Sequence, residues 1–255
     1  MVGAIAGMTA TGLYSVANKL VNLISRVVAS LRTVMLPRLS FSVGDGKSKD
    51  FDNLNRDSVS VMVIILLPVC IGMLLLGRQG IQLLFGKEYT AACYDLRILS
   101  IALFVGSLNG FITGQIFLPL RHEKGALLAT CFGAIVNLIA DCMLIPIHGD
   151  KGAAIGTVVA ETAVLAICGI YAYVNKIKLA YLHDVGVCVL QSFLASIAMG
   201  GVILLLMSAT TSNLIAVLSG VPIGAGVYFI CLYGQGNQYV RSWTESISHK
   251  GSNNR

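Results

Sequence analysis

Residues 11–36 read TGLYSVANKLVNLISRVVASLRTVML and run up to Pro37. At about 100° per residue, Ser15, Lys19, Asn22, Arg26, Ser30 and Thr33 fall within one arc of roughly 80°. Leu13, Leu20, Leu23, Ile24, Val27 and Leu31 cover the rest of the helix. The stretch is long enough to cross a hydrocarbon core, which takes about 20 predominantly apolar residues. In water such an arc would face solvent. In a membrane it must face a cavity or a partner, because insertion scales charge about 2.5–3.5 kcal/mol for Lys or Arg at mid-helix.

Composition decides between the two settings. The chain has 255 residues, 56% of them hydrophobic and only 12% charged, with a mean hydropathy of +0.80. Soluble domains carry roughly a quarter charged residues, so a soluble reading leaves more apolar surface than one core can bury. Six more apolar runs follow the first (11–34), at roughly 58–77, 98–118, 125–147, 152–174, 185–207 and 213–233. Short breaks between long apolar helices make antiparallel neighbours in one bundle. The expected fold is therefore all-α, a polytopic transmembrane bundle of about seven spans. Residues 11–174 form its main part, 175–233 add two further helices that fit an accessory hairpin, and 234–255 form a tail. Residues 1–10 (MVGAIAGMTA) read as the end of a preceding membrane hairpin, as expected of a start inside a longer chain.

The two longest breaks differ in kind. Residues 37–57 are rich in charge, Gly and Ser and read as a loop. Residues 78–97 mix Ile81, Leu83, Leu84, Phe85, Tyr89 and Tyr94 with charge, as a helix lying on the membrane surface does. Pro68 interrupts the second span and predicts a kink.

The formal charge of +6 would form a basic stripe in a nucleic-acid binder. Here most cations lie between the runs, so no nucleic-acid partner is expected. Alternate sides receive 11 and 4 Lys+Arg, a bias that places the C-terminal tail in the cytoplasm. No two of the seven cysteines form a CxxC pair, and all but Cys93 sit in apolar runs as small hydrophobes, which points to neither a disulfide framework nor a metal site. His122, His148, His183 and His249 are scattered over breaks and tail. Gly149-Asp150-Lys151-Gly152 lacks the GxxxxGK[ST] pattern and reads as a tight turn. With no nucleophile, base and oxyanion set, transport is favoured over catalysis and no cofactor is expected.

The intramembrane polar residues carry the functional reading. Lys19 and Arg26, with Ser15, Asn22 and Ser30, line a water-filled path and attract an anion such as a phosphate or pyrophosphate; the alternative is that they snorkel or pair with carboxylates. Arg32 lies off the stripe near the helix end, where snorkelling suits it. Asp141 stands one turn after Asn137, and Glu161 one turn after Thr157. Either carboxylate suits a coupling proton or cation, or a counter-charge for Lys19 or Arg26. Pairing is preferred for Glu161 and a structural role for Asp141. Asn109, Thr113 and Gln115 read as hydrogen-bonding glue between helices.

Five stretches together resemble the oligosaccharide and O-antigen flippases of polysaccharide biosynthesis, within the superfamily of multidrug, oligosaccharidyl-lipid and polysaccharide exporters. They are GLYSVANKL (12–20), VMLPRLS (34–40), IQLLFGKEY (81–89), the helix end from Asn137 to Pro146, and GAAIGTVVAE (152–161). The resemblance implies one lobe, the C-terminal one, of a two-lobe, inverted V-shaped transporter in the bacterial cytoplasmic membrane. Its cargo would be a glycan on polyprenyl pyrophosphate, and Lys19 and Arg26 would hold the pyrophosphate or an acidic sugar. Seven spans are about half of what such a transporter needs, so the missing N-terminal lobe is an expected partner, with other polysaccharide assembly proteins and membrane lipids. A drug/cation antiporter would favour a carboxylate-dominated cavity. A membrane-embedded glycosyltransferase would carry a larger extramembrane loop, and a non-transporting partner subunit or remnant is the third alternative.

Overall fold

Apolar runs of this length satisfy their backbone polar groups in a bilayer as helices or as closed barrels, and the sequence lacks the period-two alternation of barrel strands. The computed structural model describes residues 1–44, 48–177, 182–209 and 212–242, and its regular structure is helical. One turn, α1 (Val2–Ile5), precedes α2 (Gly7–Gly44), α3 (Ser48–Leu84), α4 (Ala92–Phe111), α5 (Glu123–His148), α6 (Asp150–Val174), α7 (Leu182–Ala209) and α8 (Asn213–Gly234). Helix α4 continues as a π-helical stretch over Ile112–Phe117. Among the described residues seven helices are long and apolar enough to cross a membrane.

Neither of the two longest breaks takes its expected form. Helix α2 runs through Pro37, and α3 begins at Ser48, so most of 37–57 extends the two helices. At 1.5 Å per residue, 38 and 37 residues reach about 55 Å, well beyond a hydrocarbon core of about 30 Å. The extensions carry Arg38, Asp50, Asp52, Arg56 and Asp57, and past the bilayer water can hydrate a carbonyl that a proline leaves unpaired. The surface helix expected over 78–97 does not form either. Arg78–Leu84 finish α3, Gly86 turns the chain at φ 97°, Lys87–Tyr89 form a 3₁₀ turn, and α4 starts at Ala92. A φ of this sign suits Gly, which has no Cβ to clash, so the turn ends α3 there. The tail expected over 234–255 lies outside the described residues from 243 onward, as do Lys47, Lys178, Lys250 and Arg255 of the charge bias and His249.

Helices α5 and α6 form a close antiparallel hairpin turned by Gly149, at φ 60°. Small residues make the approach possible. A Cβ on Gly152 would strike the Leu144 carbonyl, one on Gly156 the Asp141 carboxyl, and one on Gly133 the Val164 side chain. Much of the GAAIGTVVAE pattern is thus a packing requirement. Helix α4 lies between α6 and α2. Val16, Ala17, Val21 and Val28 of α2 share a core with Leu96, Leu99, Ala102 and Leu103 of α4 and with Val63 and Leu66 of α3. Outward positions such as Leu127, Ile135, Leu138, Met143 and Ile147 of α5 stay exposed, as lipid-facing residues do.

Helices α7 and α8 pack on α3 through a second core that includes Ile64, Leu76, Met199, Ile203, Tyr228 and Leu232. Pro68 has no N–H, so in a regular helix the carbonyl of Ile64, four residues earlier, loses its donor. The Tyr228 hydroxyl of α8 supplies it, donating to the Ile64 carbonyl at 2.8 Å. We expect Tyr228→Phe to cost about 1–3 kcal/mol by leaving that buried carbonyl unpaired. A thermal-unfolding series in detergent checks this. The cost should shrink when Pro68→Ala restores the helix donor, and equal costs in both backgrounds would refute the account.

Candidate functional site

The interior of α2 packs on α4, and this fixes where its polar arc points. With Val16, Ala17, Val21 and Val28 buried, Lys19, Asn22, Arg26, Ser30 and Thr33 are exposed and Ser15 is half-buried. The Ser30 hydroxyl donates to the Val27 carbonyl (2.7 Å) and that of Thr33 to Ala29 (3.1 Å), so both fold back on their own helix. Lys19 and Arg26 form no ion pair among the described residues, with Asp141, Glu161 or any other carboxylate. Two cations one face apart from a well-packed core thus stand open on one side of the bundle.

Behind the stripe lie two polar cavities that share a wall. The smaller, of about 180 Å³, lies between α2, α4 and α6 and is lined by Asn18, Asn22, Ser25, Ser107, Thr157 and Glu161 among others. The larger, of about 450 Å³, lies between α4, α5 and α6 and takes in Asn109, Thr113, Thr130, Asn137, Thr157 and Glu161. Glu161 and Thr157 belong to both. The Asn109 amide donates to Glu161 Oε2 at 2.6 Å and to the Glu161 backbone carbonyl at 2.8 Å. Asn109 is therefore glue between α4 and α6, as its residue type predicts. Glu161 is held by an amide, and among the described residues no cation comes within ion-pair distance of it. Gly106 lets the carboxyl lie along α4, since a Cβ there would come within 3.0–3.2 Å of its atoms. Tyr14 hydroxyl and Thr157 Oγ1, 3.4 Å apart, tie α2 to α6 at the same level.

Asn137 and Asp141 lie one turn apart on α5. Asn137 faces the larger cavity, whereas Asp141 sits one turn on, where its carboxyl packs against Gly156. Its buried Oδ1 has no hydrogen-bond partner among the described residues. The Arg32 guanidinium fills the space that a Cβ on Gly110 would take, next to Asn109 and just before the π-helical stretch of α4. Such stretches recur at functional sites. Asn18, Ser25 and Ser107 join the site without having been singled out in the sequence. Asn18, Asn22 and Ser25 at i, i+4 and i+7 form a second polar row that helical periodicity would have shown.

A third cavity, of about 470 Å³, is apolar. Leu20 and Ile24 of α2, Pro68, Gly72 and Leu76 of α3, Met199 and Ile203 of α7 and Val217, Val221 and Phe229 of α8 are among its lining. One helix, α2, thus bears exposed cations on one face and the wall of an apolar cavity on another.

The model of the lipid II flippase MurJ family matches residues 4–226. The chain belongs to the MurJ family. Among curated proteins, a probable low-salt glycan biosynthesis flippase, Agl15, of Haloferax volcanii is 26% identical over 209 residues, 81% of this chain and 41% of its own length. The capsular polysaccharide biosynthesis protein CapF of Staphylococcus aureus is 30% identical over 141 residues, covering 53% of this chain and 34% of its own. A solved lipid II flippase MurJ in an inward closed conformation superposes with a TM-score of 0.71 at 19% identity, over 87% of this chain and 46% of that one. The MurJ likeness shows the fold: a multi-pass helical membrane bundle. This chain spans less than half the length of each of these relatives.

Proposed function

We propose that this chain is one lobe, the C-terminal one, of a transporter that moves a glycan on polyprenyl pyrophosphate from the inner to the outer leaflet of the bacterial cytoplasmic membrane. The observation that carries the reading is α2, where exposed Lys19 and Arg26, in no ion pair among the described residues, flank Asn22 on one face while Leu20 and Ile24 wall an apolar cavity on another. An amphiphile with an anionic head and an apolar tail needs that pairing of surfaces. Lys19 and Arg26 hold the pyrophosphate by charge-assisted hydrogen bonds, and the apolar cavity borders the path of the polyprenyl chain. A second lobe closes the other side of the head-group site, and rocking of one lobe against the other carries the head across. Asn137 and Asp141 are assigned to the coupling ion, supported by the buried Oδ1 of Asp141, which has no hydrogen-bond partner among the described residues. The cargo is a repeat unit for a surface polysaccharide, and lipid II is the competing cargo of the same chemical class. The charge bias supports a cytoplasmic C-terminus.

The test is reconstitution of the full-length transporter in vesicles containing, in turn, fluorescent undecaprenyl-pyrophosphate repeat unit and lipid II, with transbilayer movement read by quenching of the outer leaflet. Accelerated movement of the repeat unit supports the reading, and movement of lipid II alone changes the cargo. Export of a cationic dye with neither lipid moving would replace it with drug/cation antiport.

A further inference from the structure

Four polar side chains around the smaller cavity make no hydrogen bond among the described residues: Asn18, Asn22 and Ser25 of α2, and Ser107 of α4. Ser107 is 4% exposed. Asn18 and Ser25 are half-buried and Asn22 is exposed; a buried hydroxyl is costly unless something meets it, so a ligand or water belongs beside Ser107. The carboxyl of Glu161 enters the same space, with Oε2 held by Asn109 and Gly106 cleared to make room. The volume, about 180 Å³, matches about six waters at about 30 Å³ each and exceeds what a bare ion fills. It suits one pyranose ring. The lining chemistry agrees, because amides, hydroxyls and one carboxylate offer donors and acceptors side by side, as adjacent sugar hydroxyls require. Among the described residues no cation lines the cavity, which disfavours a phosphate as its occupant. Asn22 belongs both to this lining and to the stripe between Lys19 and Arg26, so the cavity opens beside the place of the pyrophosphate.

We propose that this cavity is a monosaccharide subsite, taking the sugar joined directly to the pyrophosphate, with the Glu161 carboxylate accepting from its hydroxyls and Asn18, Asn22, Ser25 and Ser107 completing the contacts. The proposal rests on the flippase reading above and adds to it which part of the cargo is read and by which residues.

The experiment uses the full-length transporter in lipid nanodiscs. The probes are undecaprenyl pyrophosphate without sugar and the same lipid carrying a single glucose, galactose or N-acetylglucosamine, with affinities read by native mass spectrometry. The wild type should bind at least one sugar-bearing lipid about tenfold more tightly than the sugarless one, the equivalent of about 1.4 kcal/mol. Glu161→Gln, which keeps the acceptor for Asn109, and Ser107→Ala should each reduce that preference to about twofold and leave the sugarless affinity unchanged. Equal affinity of the wild type for all four lipids would overturn the subsite and leave the flippase reading standing. Equal weakening of all four lipids by either variant would also overturn it. Binding of none of them would overturn the flippase reading and the subsite together. Stabilisation of the wild type by sodium chloride alone, absent in Glu161→Gln and without any sugar preference, would make the cavity a cation site instead.

Discussion

On the proposed flippase reading, replacing Lys19 and Arg26 together with Ala in the full-length transporter is expected to lower glycan export by at least about a hundredfold. The estimate follows from losing two charge-assisted hydrogen bonds to one anionic head, each worth about 1.5–3 kcal/mol. The amount of folded protein should not fall. Both side chains are exposed, neither is in an ion pair among the described residues, and the buried face of α2 is carried by Val16, Ala17, Val21 and Val28. Surface glycan, measured by lectin binding and normalised to transporter level, is the readout. Lys19→Arg with Arg26→Lys, which keeps both charges, should retain most of the export. Unchanged export in the double Ala variant would remove the stripe from the mechanism and leave its cations as snorkelling residues.

The second large effect is structural. Gly152→Val should cost more than about 3 kcal/mol, above the usual 1–3 kcal/mol for overpacking, because the atoms in the way are the Leu144 carbonyl and the Ile145 amide, which cannot rotate aside. The α5–α6 hairpin would have to separate, taking with it the shared wall of both polar cavities. The fraction of transporter surviving as a monodisperse peak after detergent extraction measures it. Gly169→Val, on the same helix with nothing within 4 Å of the added Cβ, is the control and should change stability by no more than about 0.5 kcal/mol. Similar losses in both would mean that added bulk anywhere on α6, and not the close approach, sets the cost.

Helix number was legible because a bilayer allows few alternatives, and an apolar run of about 20 residues reports itself without reference to any partner. Helix ends were less legible. Charge and Gly between 37 and 57 look like a loop, yet outside the hydrocarbon a charged helix is as comfortable as a charged loop, and α2 and α3 simply continue. The hydrophobic pattern over 78–97 fits a surface helix equally well, and what decides against it is a backbone angle at Gly86 that composition does not carry. The outward stripe of α2 could be read from periodicity alone, and its exposed face agrees. The partners of the carboxylates could not. Whether Glu161 meets Lys19, Arg26 or an amide depends on which helix lies opposite, and that turns on α4 being seated between α2 and α6. The seat of Arg32 is hidden for the same reason: its guanidinium rests in a notch made by a glycine 78 positions away in the chain, Gly110.

Pro68 and Tyr228 are separated by about 160 positions, and in the folded lobe one supplies the hydrogen-bond donor that the other removes from the Ile64 carbonyl. Neither residue is explained by its own helix. A descendant that regains an N–H at position 68 no longer needs a hydroxyl at 228, whereas losing the hydroxyl first leaves a bare carbonyl in the apolar interior. The order in which the two substitutions can be tolerated is thereby set. Among sequences of this lobe, tyrosine at 228 should persist wherever proline stands at 68 and drift freely once it is gone.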